Sequence, residues 1–323
     1  MVILRCVRPR CPDGATTMGR LRWIKVESGR CRRNDGTGRV LLRRIEKAEQ
    51  LPRTNEDGTM ANRQCFTVIL AFLFAIAASP SIAADSWDVP SSWKRAKNEV
   101  ADNVYRDITN TFYCGCIYES HNDNDGSATI MNFNDCYDWR SHSHKDAACV
   151  LDWEHVVPAT LTPASGRKCW RKPEEIDECK GKGGRDCCED HDEEAQRVLF
   201  DPHNLVPTVG QINRLRRADR YAELENGNTF GKCLIKDISG KFEPPDCKKG
   251  DVARIWFYMR HAHGVEIEPE DEEIFKIWSD LDPVSPWERE RERRIFEFST
   301  LRNMYVYGIE PDSSGACAWE PKE

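Results

Sequence analysis

Glu154 and His155 stand side by side in the run Trp153-Glu154-His155-Val156-Val157-Pro158, and two amides follow, Asn204 within Asp201-Pro202-His203-Asn204-Leu205 and then Asn213. Together they offer a hard oxygen ligand, an imidazole base and neutral oxygen donors. Such a set suits one Mg²⁺ ion and the deprotonation of a water beside it, which is the chemistry that hydrolysis of a phosphodiester requires. An imidazole near its unperturbed pKa of about 6.5 can take a proton at neutral pH. Singly, Glu154 reads as a salt-bridged carboxylate, His155 as a structural histidine and Asn213 as a helix cap; their combination and order point to a site. A structural role explains His203 equally well. His121, His142, His144 and His191 read as loop residues, and His261 and His263 as the end of a helix, where positive charge is favourable.

The elements that must position these residues follow from periodicity. Apolar residues at Trp93, Ala96, Val100, Val104 and Ile108 predict an amphipathic helix over 93–108. Short β segments are expected over 112–119 and 129–133, and a strand over 150–157 carries Glu154 and His155. The charged, glycine- and cysteine-rich interval 160–196 has no steady period and reads as a stapled loop. An extended segment over 199–206 holds Asn204, and Thr208-Val209-Gly210-Gln211 reads as a capping box opening the helix of Asn213, with Val209, Ile212, Leu215 and Leu224 facing the core. Downstream, the pattern predicts a hairpin around Gly240, a helix capped by Asp251, and a helix with Ile274, Ile277 and Leu281 on one face. Another helix opens at Ser285-Pro286-Trp287-Glu288 with proline at its first position, and an irregular tail follows Gly308. The expected class is α+β, one disulfide-stapled domain over 84–323.

With 323 residues and 39% hydrophobic content, the chain can bury a core and is not a disordered protein. Met60-Ala61-Asn62-Arg63, the apolar run 65–78 and the small residues Ser81-Ile82-Ala83 form a secretory signal over 60–83, too short to span a membrane. Residues 1–59 are then a mis-assigned start or a discarded basic extension; the rival is a structured arm touching nucleic acid. The net charge is −7, and without residues 1–59, which hold 14 basic and 7 acidic side chains, it becomes −14. A phosphate-binding site must therefore be a local patch. Candidates are Arg214, Arg216, Arg217 and Arg220 on one predicted helix, with Arg167, Lys168, Arg171, Lys172 and Arg185 before it, although each cluster alone suits a solvated face. Eleven cysteines follow Ala83. Behind a secretory signal they predict disulfides, with one thiol free or paired to another chain because the number is odd. Zinc at Cys114-x-Cys116 and Cys187-Cys188 is the rival, but matching C-x₂₋₄-C pairs are absent.

The runs Trp-Glu-His-Val-Val-Pro-Ala at 153–159, His-Asn-Leu-Val-Pro at 203–207 and Val-Gly-Gln-Ile-Asn at 209–213 resemble the endonuclease I family of periplasmic and secreted bacterial nucleases. Tyr113-Cys114-Gly115-Cys116, Cys169-Trp170, Gly183-Gly184-Arg185, Phe257-Tyr258-Met259-Arg260 and Trp287-Glu288 resemble it too. The resemblance implies a ββα-metal (His-Me finger) core, with His155 as general base and Glu154 and Asn213 as ligands of a single Mg²⁺, a site that Mn²⁺ or Ca²⁺ also fits. It implies that Arg185 neutralises the cleaved phosphate, that Asn204 helps orient the site, and that the product carries a 5′ phosphate. The expected substrates are DNA and RNA, cut with little sequence preference by a secreted or periplasmic monomer that is free of membrane once processed. No protein inhibitor is legible. The chain departs from the family at Arg289, where a cysteine that would pair near Cys317 is usual, at Leu199, where some relatives are acidic, and in the acidic stretch 172–197. Cys149, Cys179, Cys247 and one of Cys187 and Cys188 are additional. Two rival functions are a secreted binding protein with a decayed site and a zinc phosphoesterase. One geometric difficulty is that neighbours in a strand point to opposite faces, so Glu154 and His155 need a distorted strand or a phosphate lying across its edge.

Overall fold

The computed structural model of the chain describes residues 87–321. The expected secretory signal and the segment 1–59 lie outside the described residues. Helices and strands fall largely in separate runs, as in an α+β protein: α1 (Trp93–Asn103), β1 (Tyr118–Ser120), β2 (Ala128–Ile130), α2 (Phe133–Cys136), β3 (Leu151–His155), α3 (Lys168–Arg171), α4 (Gly184–His191), α5 (Glu193–Leu199), β4 (Leu205–Val209), α6 (Gly210–Arg216), β5 (Arg220–Tyr221), β6 (Asn228–Phe230), β7 (Cys233–Ile238), β8 (Lys241–Glu243), α7 (Lys249–His263), α8 (Pro269–Leu281) and α9 (Pro286–Ser299). Two sheets are two-stranded, β1-β2 and β3-β4, and the third has the order β5-β8-β7-β6.

The pair that positions the site is β3 and β4. They run antiparallel in register from Leu151 opposite Val209 to His155 opposite Leu205, and β4 passes straight into α6. The Gly210 N–H donates to the Val150 carbonyl at 2.8 Å, fastening the start of α6 beside β3. Apolar side chains of this unit, among them Leu151, Trp153, Val206, Val209 and Ile212, join the main core with α7 and the four-stranded sheet.

Several expectations need correction. The interval 160–196 is not irregular. It holds α3, α4 and part of α5 joined by 3₁₀ turns, over a small core of its own made of Cys169, Cys179, Cys187, Cys188, alanines, Leu199 and Phe200. Cysteine and alanine fill that core where aliphatic residues would have shown a period. Asn204 sits in the 3₁₀ turn Pro202–Asn204 before β4, not in a strand. The capping box at Thr208 does not form: Thr208 pairs with Asp152 inside the ladder, its hydroxyl makes no hydrogen bond, and Val209 is the cap. The helix ends at Arg216, so Leu224 and Arg220 fall beyond it. Asp251 lies in the first turn of α7, bonded to Lys248 at 3.0 Å, and Lys248 is the cap. On α8 the buried residues are Phe275 and Trp278, while Ile277 and Leu281 are exposed. The helix at 93–108 stops at Asn103. By contrast, Ser285 caps α9 as expected, accepting from Glu288 N at 3.1 Å, and Gly240, at φ +83°, turns β7 into β8.

The cysteines are disulfides, which removes the zinc reading of the paired cysteines. The bridges are 114–233, 116–136, 169–188, 179–187 and 247–317. Cys317 thus finds Cys247, and the absence of a cysteine at 289 leaves it with a partner. Cys149 is disulfide-bonded as well, so the free thiol expected from the odd number is not found among the described residues.

Candidate active site

Glu154, His155, Arg185 and Asn213 line one cavity of about 460 Å³. The β3-β4 ladder runs through Glu154 and His155 without a bulge, so the strand is not distorted. Among the described residues the second edge of β3 carries no ladder, only a single bridge from Val150, just before the strand, to Thr129, and Leu151 to His155 all line the cavity. Glu154 is held from one side by α6 and His155 from the other by α1 and the end of α5.

His155 is 7% exposed. Its ring stacks on Trp93 with centroids 5.0 Å apart and planes inclined by 21°, and its Nε2 lies 2.7 Å from the Leu199 carbonyl oxygen. A carbonyl only accepts, so Nε2 carries the proton and Nδ1 keeps the lone pair. Burial, and then the charge of Arg185, push the imidazole down to about 3, against the opposing pull of the Leu199 carbonyl. The ring is therefore uncharged over the whole neutral range.

Glu154 is buried against Arg216, whose Nη1 donates to its Oε1 and, at 2.9 Å, to the His155 carbonyl, while Nη2 donates to the Val156 carbonyl at 2.7 Å. Arg216 is fully buried, so it is no part of the exposed basic patch expected for this helix. Burial raises the Glu154 carboxyl above its ordinary range and Arg216 pulls it back. Asn213, one turn before Arg216, directs its amide nitrogen to Asp152 Oδ2 in a long contact of 3.5 Å, which turns its oxygen away from that carboxylate. Among the described residues no group of three or more His, Cys, Asp and Glu side chains forms a metal cage. Of the donors at this cavity, the Glu154 carboxylate and the Asn213 amide oxygen would suit an ion such as Mg²⁺ that keeps most of its waters.

Arg185 is the second residue of α4. Gly184 before it has no room for a side chain, since a Cβ there would lie 2.1 Å from the Trp170 carbonyl oxygen. That close approach seats α4 against α3, and bridges 169–188 and 179–187 lock it. The Arg185 guanidinium stands 5.8 Å from the centre of the Trp93 ring, the same ring on which His155 stacks. Asn204 does not reach the cavity. Its Oδ1 accepts from Val157 N at 2.7 Å and its Nδ2 donates to Val157 O at 3.0 Å, tying the chain after β3 to the chain before β4. His203 packs on Tyr258 away from the cavity.

The family model of Endonuclease I matches residues 92–310. The chain belongs to the endonuclease I family. It is 32% identical over 213 residues to the Endonuclease-1 of Buchnera aphidicola subsp. Acyrthosiphon pisum, covering 64% of this chain and 78% of that protein. It is 28% identical over 246 residues to an extracellular deoxyribonuclease of Aeromonas hydrophila, covering 75% and 97%, and 28% identical over 217 residues to a periplasmic deoxyribonuclease of the same organism, covering 66% and 84%.

Sequence reasoning missed four residues of this endonuclease I family cavity: Trp93, Lys97, Asp152 and Glu189. Trp93 looked like an ordinary apolar helix position. Asp152 carried a usable signal, because it stands two residues from Glu154 and so shares its strand face. Lys97 lies one turn after Trp93 on α1. In all, the endonuclease I cavity is lined by four carboxylates, of Asp152, Glu154, Asp186 and Glu189, against three cations, Lys97, Arg185 and Arg217.

Proposed function

We propose that the chain is a secreted or periplasmic Mg²⁺-dependent endonuclease, a monomer that hydrolyses the phosphodiesters of DNA and RNA with little sequence preference and leaves 5′ phosphates. The observation that carries the reading is the cavity shared by His155, Glu154, Asn213 and Arg185. The β3-β4-α6 unit would serve as a ββα-metal (His-Me finger) core. His155 accepts the proton of the attacking water at Nδ1. Arg185 grips non-bridging phosphate oxygens, for which a guanidinium offers two parallel donors. Glu154 and Asn213 would hold the metal, which when bound supplies positive charge beside the leaving oxygen. The carboxylates of the cavity leave its three lining cations and Arg216 largely offset, so a bound cation would strengthen the hold on a phosphodiester. Mn²⁺ or Ca²⁺ would fit the same donors. Asn204 acts at one remove by fixing the backbone at Val157.

Secretion is supported by the five bridges, by relatives named extracellular and periplasmic deoxyribonucleases, and by the absence, among the described residues, of a helix long and apolar enough to cross a membrane. Residues 60–83 would act as the signal, residues 1–59 would be absent from the mature protein, and 84–323 would form the nuclease domain. The test is supercoiled plasmid incubated with oxidised protein in Mg²⁺, in EDTA, and with His155→Ala. Mg²⁺-dependent nicking that the variant lacks is the expected result; no nicking by folded wild type would sink the reading in favour of a binding protein with a decayed site.

A further inference from the structure

Glu189 stands one helical turn after Arg185 on α4, and its Oε1 accepts from Arg185 Nε at 2.6 Å. Side chains four residues apart on a helix are neighbours, but this pair is unequal in depth: the carboxylate is 10% exposed and the guanidinium 41%. Glu189 therefore lies behind and Arg185 in front. A site that must hold a polyanion has little use for an added carboxylate in its wall, unless that carboxylate organises a cation. We propose that Glu189 is a positioning residue that holds the Nε edge of Arg185 so that the two Nη groups face the cavity. This rests on the phosphate-binding role given to Arg185 above.

The anchoring of Glu189 itself supports the assignment. The Gln196 side chain on α5 donates to the Glu189 carbonyl at 2.8 Å, and Cys188 next to it is bridged to Cys169. The backbone that carries Glu189 is thus fixed from two directions, and the side chain reaches Arg185 from that fixed base. Only Nε is engaged by Glu189, and neither Nη has a hydrogen-bond partner among the described residues. With one edge fixed, the other edge of the planar guanidinium is presented as a fork that matches two oxygens of a phosphate. Trp93, its ring centre 5.8 Å from the guanidinium, gives the cation an aromatic neighbour. Placing the fork correctly matters because a misplacement of about 1 Å in a reacting group can cost a factor of roughly 100 in rate.

The test uses the full oxidised chain with Glu189→Gln, Glu189→Ala, Arg185→Ala and the Arg185→Ala/Glu189→Ala double variant, each checked by circular dichroism. Two quantities are measured: kcat on a labelled 20-base-pair duplex in Mg²⁺, and binding of that duplex in EDTA across salt concentrations. Both Glu189 variants remove the same negative charge, so both should tighten binding alike and steepen its salt dependence by up to about 0.9 on logarithmic axes. They should differ in turnover. Glu189→Gln keeps an acceptor for Nε and retains kcat within about threefold, whereas Glu189→Ala releases the guanidinium and loses roughly 10- to 100-fold. In the Arg185→Ala background Glu189→Ala should cost nothing more, because the two act as a unit. Wild-type kcat in Glu189→Ala, an equal loss in Glu189→Gln, or an additive loss in the double variant would overturn the inference alone; no Mg²⁺-dependent cleavage by wild type would overturn the nuclease reading with it.

Discussion

The Nε2 atom of His155 lies 2.7 Å from the carbonyl oxygen of Leu199, 44 residues away along the chain. The carbonyl holds the ring in one tautomer and the stacked Trp93 holds its plane, so Nδ1, the proposed proton acceptor, is set in place before substrate arrives. A positioned base contributes roughly 10²- to 10⁴-fold to a rate. His155→Ala should lower kcat by at least that much while binding of an oligonucleotide in EDTA is retained. Wild-type turnover in the variant would refute the assignment of the base.

Acid stability follows from burial of the two histidines. His155 is pushed down to about 3 and His203 to about 4, in both cases first by burial. An unfolded histidine protonates near 6.5, so between that value and the folded value the unfolded chain binds more protons, and stability is lost as pH falls. Asp282 and Glu288 shift the other way, raised by burial to about 8 and about 7; their contribution is lost as pH rises, so the overall slope is a poor readout. The clean comparison is wild type against His203→Gln by urea unfolding. The advantage of wild type should shrink from pH 7 to pH 4.5, and a constant difference would show that His203 is not held neutral by the fold.

Removal of metal gives a direct test of Asn213. EDTA should abolish cleavage and Mg²⁺ should restore it. Asn213→Ala, which removes one of two protein donors, should raise the Mg²⁺ concentration needed for half-maximal rate by about 10- to 100-fold. Titration calorimetry with Mg²⁺ alone checks the same point without turnover. Unchanged Mg²⁺ affinity would remove Asn213 from the ligand set.

The cavity was legible in the chain where chemically unusual residues stand close together. Glu154-His155 and Asn213 stand out because such groups are seldom clustered, and the strand of Glu154 and the helix of Asn213 followed from the sequence pattern. What was illegible depends on contacts between distant segments. Trp93 has the pattern of any amphipathic helix until the His155 ring is laid on it. Arg216 resembled its exposed neighbours because nothing local shows that Glu154, 62 residues earlier, will draw it inside. Thr208 satisfied a local capping rule that pairing with β3 overrode, and α4 carries cysteines where an aliphatic stripe would have betrayed it.

Those cysteines make the basis of another prediction. Bridge 179–187 ties the turn before α4 to α4 across a sequence separation of 8, and 169–188 ties α3 to α4. Each should contribute roughly 2–4 kcal/mol or less to stability, but both also fix Arg185. Replacing Cys179 and Cys187 together by serine should therefore lower kcat more than the loss of thermal stability accounts for. Full activity in a variant with lowered Tm would show that α4 keeps its place by packing alone.

The buried pair Glu154 and Arg216 allows stability and catalysis to be separated. Arg216 bonds to the carboxylate and to two backbone carbonyls at the end of β3, and its guanidinium lies 4.5 Å from the Tyr221 ring. Arg216→Met strips Glu154 of its partner in a place where water cannot replace it, and breaking such a pair from one side costs about 3–5 kcal/mol. Arg216→Lys should recover little, since one ammonium cannot serve the same spread of acceptors. Adding Glu154→Gln to Arg216→Met removes the unpaired charge and should restore much of the lost stability in urea unfolding. Activity should not return, because the carboxylate that would hold the metal is gone. Recovery of cleavage in the double variant would show that Glu154 serves the fold and not the reaction.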